Sequence, residues 1–159
     1  AGFRPAVNVG LSVSRVGGDA QIPAIKKLAG PLRLQLAQYR ELTSFTQFGA
    51  ELDQATRDQL AKGERIAAVL KQPRFSTIPV AEQVVIFYML VNGYFDDLPV
   101  ERIPWFEAEV RHRIRQNQPD LLGAIRKTGH YQGVEDRLSS TLRKIKAELA
   151  GTELQAEMK

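Results

Sequence analysis

The sequence predicts an all-α fold: a bundle of six to seven helices preceded by one β-strand with no partner strand of its own. Three observations carry this. From residue 19 onward apolar residues recur at three- and four-residue spacing, the period of a helix with one buried face. Gly and Pro punctuate that pattern at intervals of helix length. At the front, Val7, Val9, Leu11 and Val13 alternate with small or polar residues, the period of a strand.

The strand reads from Phe3 to Val16 and breaks at Gly17-Gly18. Asp19 is a candidate cap for a first helix, and Pro23 suits an opening turn, where its missing N–H is not needed. That helix is predicted to run to Ala29 and stop at Gly30, with Pro31 restarting the pattern. Leu32, Leu36, Tyr39, Leu42 and Phe45 then mark an amphipathic helix over 34–47. Asp53 caps a third helix that puts Leu60, Ile66, Ala67 and Leu70 on one face, although Gly63 within it costs about 1 kcal/mol relative to Ala.

Residues 72–79 carry two prolines and read as a loop. Val80 to Val91 is apolar nearly all round, as a centrally buried helix is, and Asn92-Gly93 closes it. Further helices are predicted over 105–116, 119–127 and 134–149, with a frayed polar tail at 152–159. The strand's backbone groups need partners that the helices do not offer. It therefore belongs to a sheet whose other strands lie elsewhere, or it is disordered. The chain opens in mid-strand without an initiator Met and reads as part of a longer polypeptide.

At 159 residues the chain buries roughly 68–70% of its unfolded surface, enough for a core without staples. It has no Cys, which removes disulfide and thiolate chemistry. With 22 cations against 18 anions the surface is close to balanced, at a net charge of +4. The longest apolar run, Val84 to Val91, is far short of the ~20 residues that span a bilayer.

Arg15 is the leading candidate for chemistry. It stands at the strand tip beside Ser12 and Ser14. Arginine is no general base, but its planar fork clamps phosphate oxygens. On spacing alone the plainer account is a surface arginine. His112 and His130 lack any ligand pattern, so no metal site is expected. Asp96-Asp97 and Glu107/Glu109 read as helix-entry and surface charges, and Arg111, His112, Arg113 and Arg115 as a solvated basic face. No nucleic-acid module accompanies that run, so nucleic-acid binding is not expected.

The stretch Val7-Asn8-Val9-Gly10-Leu11-Ser12-Val13-Ser14-Arg15-Val16-Gly17-Gly18 closely resembles the signature of the alpha subunits of F-type ATP synthases. Further islands resemble the same family in order and spacing: Leu36-Ala37-Gln38-Tyr39-Arg40-Glu41, Gln47-Phe48-Gly49, Leu70-Lys71-Gln72, Glu82-Gln83 and Val91-Asn92-Gly93-Tyr94. From Pro99 onward the similarity is looser. Beta subunits and vacuolar-type B subunits share the Ser-x-Ser-Arg idea but not the run from Ala37 to Glu41.

The resemblance implies a division into residues 1–18, the last strand and turn of an α/β nucleotide-binding domain, 19–151, a C-terminal helical domain, and the tail 152–159. It implies that Arg15 is an arginine finger reaching the gamma-phosphate held by a neighbouring beta subunit, and that Ser12 shapes the strand end for cooperative activity. It implies that Arg4, Pro5, Gln72 and position 74 border the adenine of a non-catalytic nucleotide site. Arg74 departs from the family's usual Gln there, replacing an amide that donates and accepts with a group that only donates.

The implied ligands are ATP or ADP with Mg, and the implied partners are beta subunits, the gamma rotor and other subunits of the soluble sector. Proximity to the rotor falls on the turn from Phe48 to Asp53. The implied location is the cytoplasmic face of a bacterial inner membrane, reached only through the complex. No G-x-x-x-x-G-K-[ST] phosphate loop occurs in the chain, so in isolation it is expected to be inactive. Two alternatives stay open: a subunit of a related rotary or export ATPase, and a stand-alone helical module that binds acidic partners.

Overall fold

The computed structural model describes residues 14–46, 52–71 and 76–157. Among the described residues there are seven α-helices, two short 3-10 turns and no strand. The helices are α1 (Arg15–Ala20), α2 (Pro23–Thr46), α3 (Gln54–Val69), α4 (Val80–Val91), α5 (Ile103–Asn117), α6 (Pro119–Thr128) and α7 (Glu135–Glu157). Helix α2 packs on α3 and α4, α4 packs on α6, and α5 packs on α3, α6 and α7. No helix among the described residues is long and apolar enough to cross a membrane.

The expected strand over 3–16 is corrected at its described end; residues 1–13 lie outside the described part. Ser14 has extended backbone, and Arg15 already opens α1. The Ser14 hydroxyl accepts the Gly17 N–H at 2.9 Å, which satisfies one of the donors a helix start leaves open. A strand tip with no neighbour gains no ladder bond, whereas a capped turn supplies its own.

The expected break at Gly30-Pro31 is also absent: α2 runs through both residues. A proline inside a helix removes one hydrogen bond and crowds the carbonyl four residues back, at a cost of about 3 kcal/mol. The buried face outweighs it. Ala24, Ile25, Leu28, Leu32 and Leu36 keep one continuous stripe across the proline. Each large aliphatic in such a stripe contributes about 1.5–3 kcal/mol.

Helix α3 begins as the sequence predicts, with the Asp53 carboxylate accepting the Thr56 N–H at 2.8 Å. Gly63 is buried against α2, where an added Cβ would overlap Cβ and Cγ of Tyr39. Here the glycine that weakens the helix in sequence is what lets two helices approach. Helix α4 occupies the predicted span and buries Ala81, Val84, Val85, Ile86, Met89 and Leu90.

Helices α5 to α7 complete the core with Phe106, Val110, Ile114, Leu121, Ile125, Leu138, Leu142 and Ile145. Phe95, after α4, meets Phe106 edge-on at 5.7 Å. Gly129 ends α6 in the left-handed region (φ +69°), a conformation open to glycine at no steric cost. Its carbonyl accepts the Ala24 N–H at 2.9 Å, tying the end of α6 to the start of α2. Helix α7 continues past the expected end at Leu149 to Glu157. It is held by Arg113 on Glu148 at 2.8 Å, and by Lys146 on the Tyr94 carbonyl (2.9 Å) and Asp97 (2.6 Å).

Candidate functional site

Arg15 is exposed at the first position of α1, so its guanidinium is free of the core. Two bonds fix the backbone beneath it: the Ser14 cap, and the Gly18 N–H donated to the Ser14 carbonyl at 2.9 Å. Arg15 borders a depression of about 390 Å³ together with Ser14, Gly18, Asp19, Gln21, Lys26 and Arg33. Lys26 and Arg33 come from α2, so α1 and α2 jointly shape it. Among the described residues Asp19 is its one carboxylate, and it meets the Lys26 ammonium at 3.6 Å. Both groups are solvated, and such a pair adds little in water. The site can hold an anion by charge and by the donors of Arg15, Lys26, Arg33 and Gln21. Among the described residues it offers no nucleophile paired with a base.

Of the residues to which the resemblance assigns a catalytic or nucleotide-binding role, only Arg15 falls among the described ones. Arg4, Pro5, Ser12, Gln72 and Arg74 lie outside them, as does most of the turn from Phe48 to Asp53. Asp53 itself is committed to capping α3, which holds its carboxyl below the usual range. Among the described residues no group of three His, Asp or Glu side chains converges as metal ligands.

A second polar cluster corrects the solvated reading of the basic run. Glu82 is the only charged side chain in the core among the described residues, and its side chain is 5% exposed. Arg111 donates to it at 2.8 Å, and Arg115 donates twice at 3.1 Å. The two arginines are one helical turn apart on α5 and close on the same carboxylate from α4. Burial opposes the Glu82 charge, but the hydrogen bonds from Arg115 and Arg111 outweigh it and hold the carboxyl below its ordinary value.

Glu107, expected at the surface, is mostly buried and shares Arg111 at 3.6 Å. Burial pushes its carboxyl up, and Arg111 only partly offsets that. Arg113 pairs with Glu109 at 3.4 Å and with Glu148, so it too is engaged. One signal in the sequence could have found the cluster: a lone carboxylate inside an otherwise apolar helix demands partners, and arginines at i and i+4 are suited to supply them.

By the architecture of its described residues the chain is a helical domain, with a basic depression built on a capped arginine at the start of α1 and along α2. It belongs to the family described as ATP synthase alpha/beta chain, C terminal domain, which matches residues 21–148. It is 53% identical over 128 residues to the ATP synthase subunit alpha of Petrotoga mobilis, covering 80% of this chain and 25% of the relative. It is 49% identical over 153 residues to that of Staphylococcus haemolyticus, covering 96% and 30%. It is also 49% identical over 151 residues to that of Syntrophomonas wolfei, covering 94% and 30%. The chain thus spans between a quarter and a third of the length of these relatives.

Proposed function

We propose that the chain works as part of the alpha subunit of a proton-translocating F-type ATP synthase, where it supplies Arg15 in trans to a catalytic site on a neighbouring beta subunit. The observation that carries this reading is the near-half identity to bacterial alpha subunits over 94–96% of the chain, a span that takes in Arg15. Arg15 is suited to the role because it is exposed, always charged and set on a capped turn. A supplied arginine stabilises the charge that develops on a transferring phosphoryl group and is worth about 10³–10⁵ in rate.

In this reading Ser12 shapes the backbone ahead of Arg15. Arg4, Pro5, Gln72 and Arg74 border the adenine of the subunit's own regulatory nucleotide, with Arg74 able to stack on the base. MgATP contributes the phosphates and the metal charge. Arg15, a cation, holds no metal and supplies charge and orientation only. The partners are beta subunits and the gamma rotor, in a complex on the cytoplasmic face of a bacterial inner membrane.

The chain by itself lacks a phosphate loop and should not hydrolyse ATP. In the assembled enzyme, Arg15→Lys should lower turnover by about 10²-fold or more, because a point charge does not reproduce the guanidinium fork. Steady-state ATP hydrolysis by the purified complex checks this, and turnover close to that of the unmodified enzyme would remove Arg15 from the mechanism.

A further inference from the structure

A second hollow, of about 350 Å³, opens between the start of α4 and one side of α6 and shares no residue with the depression at Arg15. Its volume lies in the range of pockets that take small molecules. Pro119, Leu122, Gly123 and Arg126 line it at three- and four-residue spacing, so they share one side of α6. Leu121 and Ile125, on the other side, are committed to the core. Pro79 and Val80 line the hollow from the start of α4, and Val80 stays 38% exposed although it is apolar.

Gly123 supplies an independent observation. Inside a helix, glycine is destabilising relative to alanine. At Gly63 the close approach of Tyr39 explains the glycine, but a Cβ on Gly123 would meet nothing within 4 Å. No packing among the described residues accounts for bare backbone at this point, and its effect is to leave the hollow open. The charges are equally uneven. Both oxygens of Glu82, the one carboxylate lining the hollow among the described residues, already accept from Arg115, and one also accepts from Arg111. Arg126 is exposed and pairs with no carboxylate among the described residues. Two lining cations against one lining carboxylate leave a single positive charge beside an apolar wall.

We infer that this hollow is a binding site for a small amphipathic monocarboxylate. The apolar body of the ligand lies over Gly123 and against Pro79, Val80, Pro119 and Leu122. Its carboxylate takes the guanidinium fork of Arg126 and the N–H groups of Arg115 that Glu82 leaves unused. A dianion suits the site less, because its second charge meets Glu82 with no further free cation. A neutral apolar molecule leaves Arg126 without a partner. The hollow has room for one compact body rather than a length of chain, which favours a small molecule over a protein segment. The site does not depend on the proposed in-trans role of Arg15.

The test is calorimetric titration of the 159-residue chain with 2-naphthoate, a compact apolar body carrying one carboxylate. Saturable one-site binding is expected. 2-Naphthalenemethanol, which has the same body without the charge, should bind about tenfold more weakly, and Arg126→Ala should weaken 2-naphthoate by a similar factor. Gly123→Leu keeps every charge but fills the hollow, and should abolish binding. Lys127→Ala removes a neighbouring charge of α6 that does not line the hollow, and should leave binding unchanged. Thermal unfolding verifies that each variant is folded. Arg126 is exposed, so Arg126→Ala keeps the test open whatever Gly123→Leu does to folding.

Absence of 2-naphthoate binding would overturn the site. Equal affinity for 2-naphthalenemethanol would remove the carboxylate from the assignment. Full affinity in a folded Gly123→Leu variant, or equal weakening by Lys127→Ala and Arg126→Ala, would place the binding elsewhere and overturn it as well. A capped Phe-Asp dipeptide that binds more than tenfold tighter than 2-naphthoate would make the hollow a docking point for a partner chain instead of a small-molecule site.

Discussion

Glu82 and Glu107 share Arg111, and yet their carboxyls shift in opposite directions, Glu82 below its ordinary value and Glu107 above it. Glu82 is enclosed by two guanidiniums that donate three hydrogen bonds, so its ionised form is favoured. Glu107 has burial as its dominant influence and only part of Arg111 in return, so its ionised form is disfavoured. Replacing Glu82 with Gln leaves two facing arginines without their counter-charge. Breaking a buried pair in this way costs about 3–5 kcal/mol. Arg115 is half exposed and can turn to water, which places the expected loss near 3 kcal/mol, the lower end of that range. Glu107→Gln should cost far less at neutral pH, because it substitutes a neutral group for a carboxylate that folding already penalises.

The pH dependence follows from the same signs. A carboxyl whose folded value lies below its ordinary 4.5 stabilises fully above pH 4.5 and loses that contribution as pH falls through the lower folded value. The stability gap between the unmodified chain and Glu82→Gln should therefore be widest above pH 5 and shrink in acid. Urea unfolding followed by circular dichroism between pH 3 and 7 checks both statements. Equal losses in the two variants, or a gap that widens in acid, would contradict this account of the cluster.

Among the elements, the α2–α3 contact gives the sharpest test of packing against propensity. Alanine in place of Gly63 gains about 1 kcal/mol of helix propensity. It also places a Cβ inside the ring-bearing carbons of Tyr39, and forcing a methyl into a filled contact costs about 1–3 kcal/mol. The overlap involves Tyr39 Cβ, which is fixed to the α2 backbone and cannot swing aside. Packing should therefore win, and Gly63→Ala should lower the urea midpoint; a raised midpoint would show that α2 and α3 do not approach at this glycine.

The same contact shows what a sequence can and cannot reveal. Elements set by local chemistry were legible: the Asp53 cap, the apolar span of α4, and helices close to the spans of α5 and α6. Features set by distant neighbours were not. Gly30-Pro31 reads as a stop because the local cost is visible, while the stripe of buried residues that overrides it needs α3 and α4 to be given. Arg111 and Arg115 read as a solvated face because periodicity tells which residues share a side, not what that side meets. At the candidate site, the motif singles out Arg15. The company of Lys26 and Arg33 was not legible, since it depends on how α1 turns back against α2.

For the whole molecule, the core and the candidate site are nearly separable. The buried cluster extends from Ala24 in α2 to Leu149 in α7, and α1 contributes no buried residue to it. The family match likewise begins at residue 21, after α1 ends. Ile22, packed partly against the core, and the Ala24–Gly129 hydrogen bond lie on the core side of that boundary. Folding energy therefore resides in α2 to α7, while Arg15 sits on a short element attached to them. Deleting residues 1–20 should then leave a cooperatively unfolding domain. Its melting temperature should move by less than about 3 °C, since a loss of 1 kcal/mol corresponds to roughly 2–4 °C at about this size. Thermal unfolding of the truncated chain checks this. A truncated chain that no longer melts cooperatively would mean that residues 1–20 belong to the folding unit, and that the site is built into the core rather than carried on it.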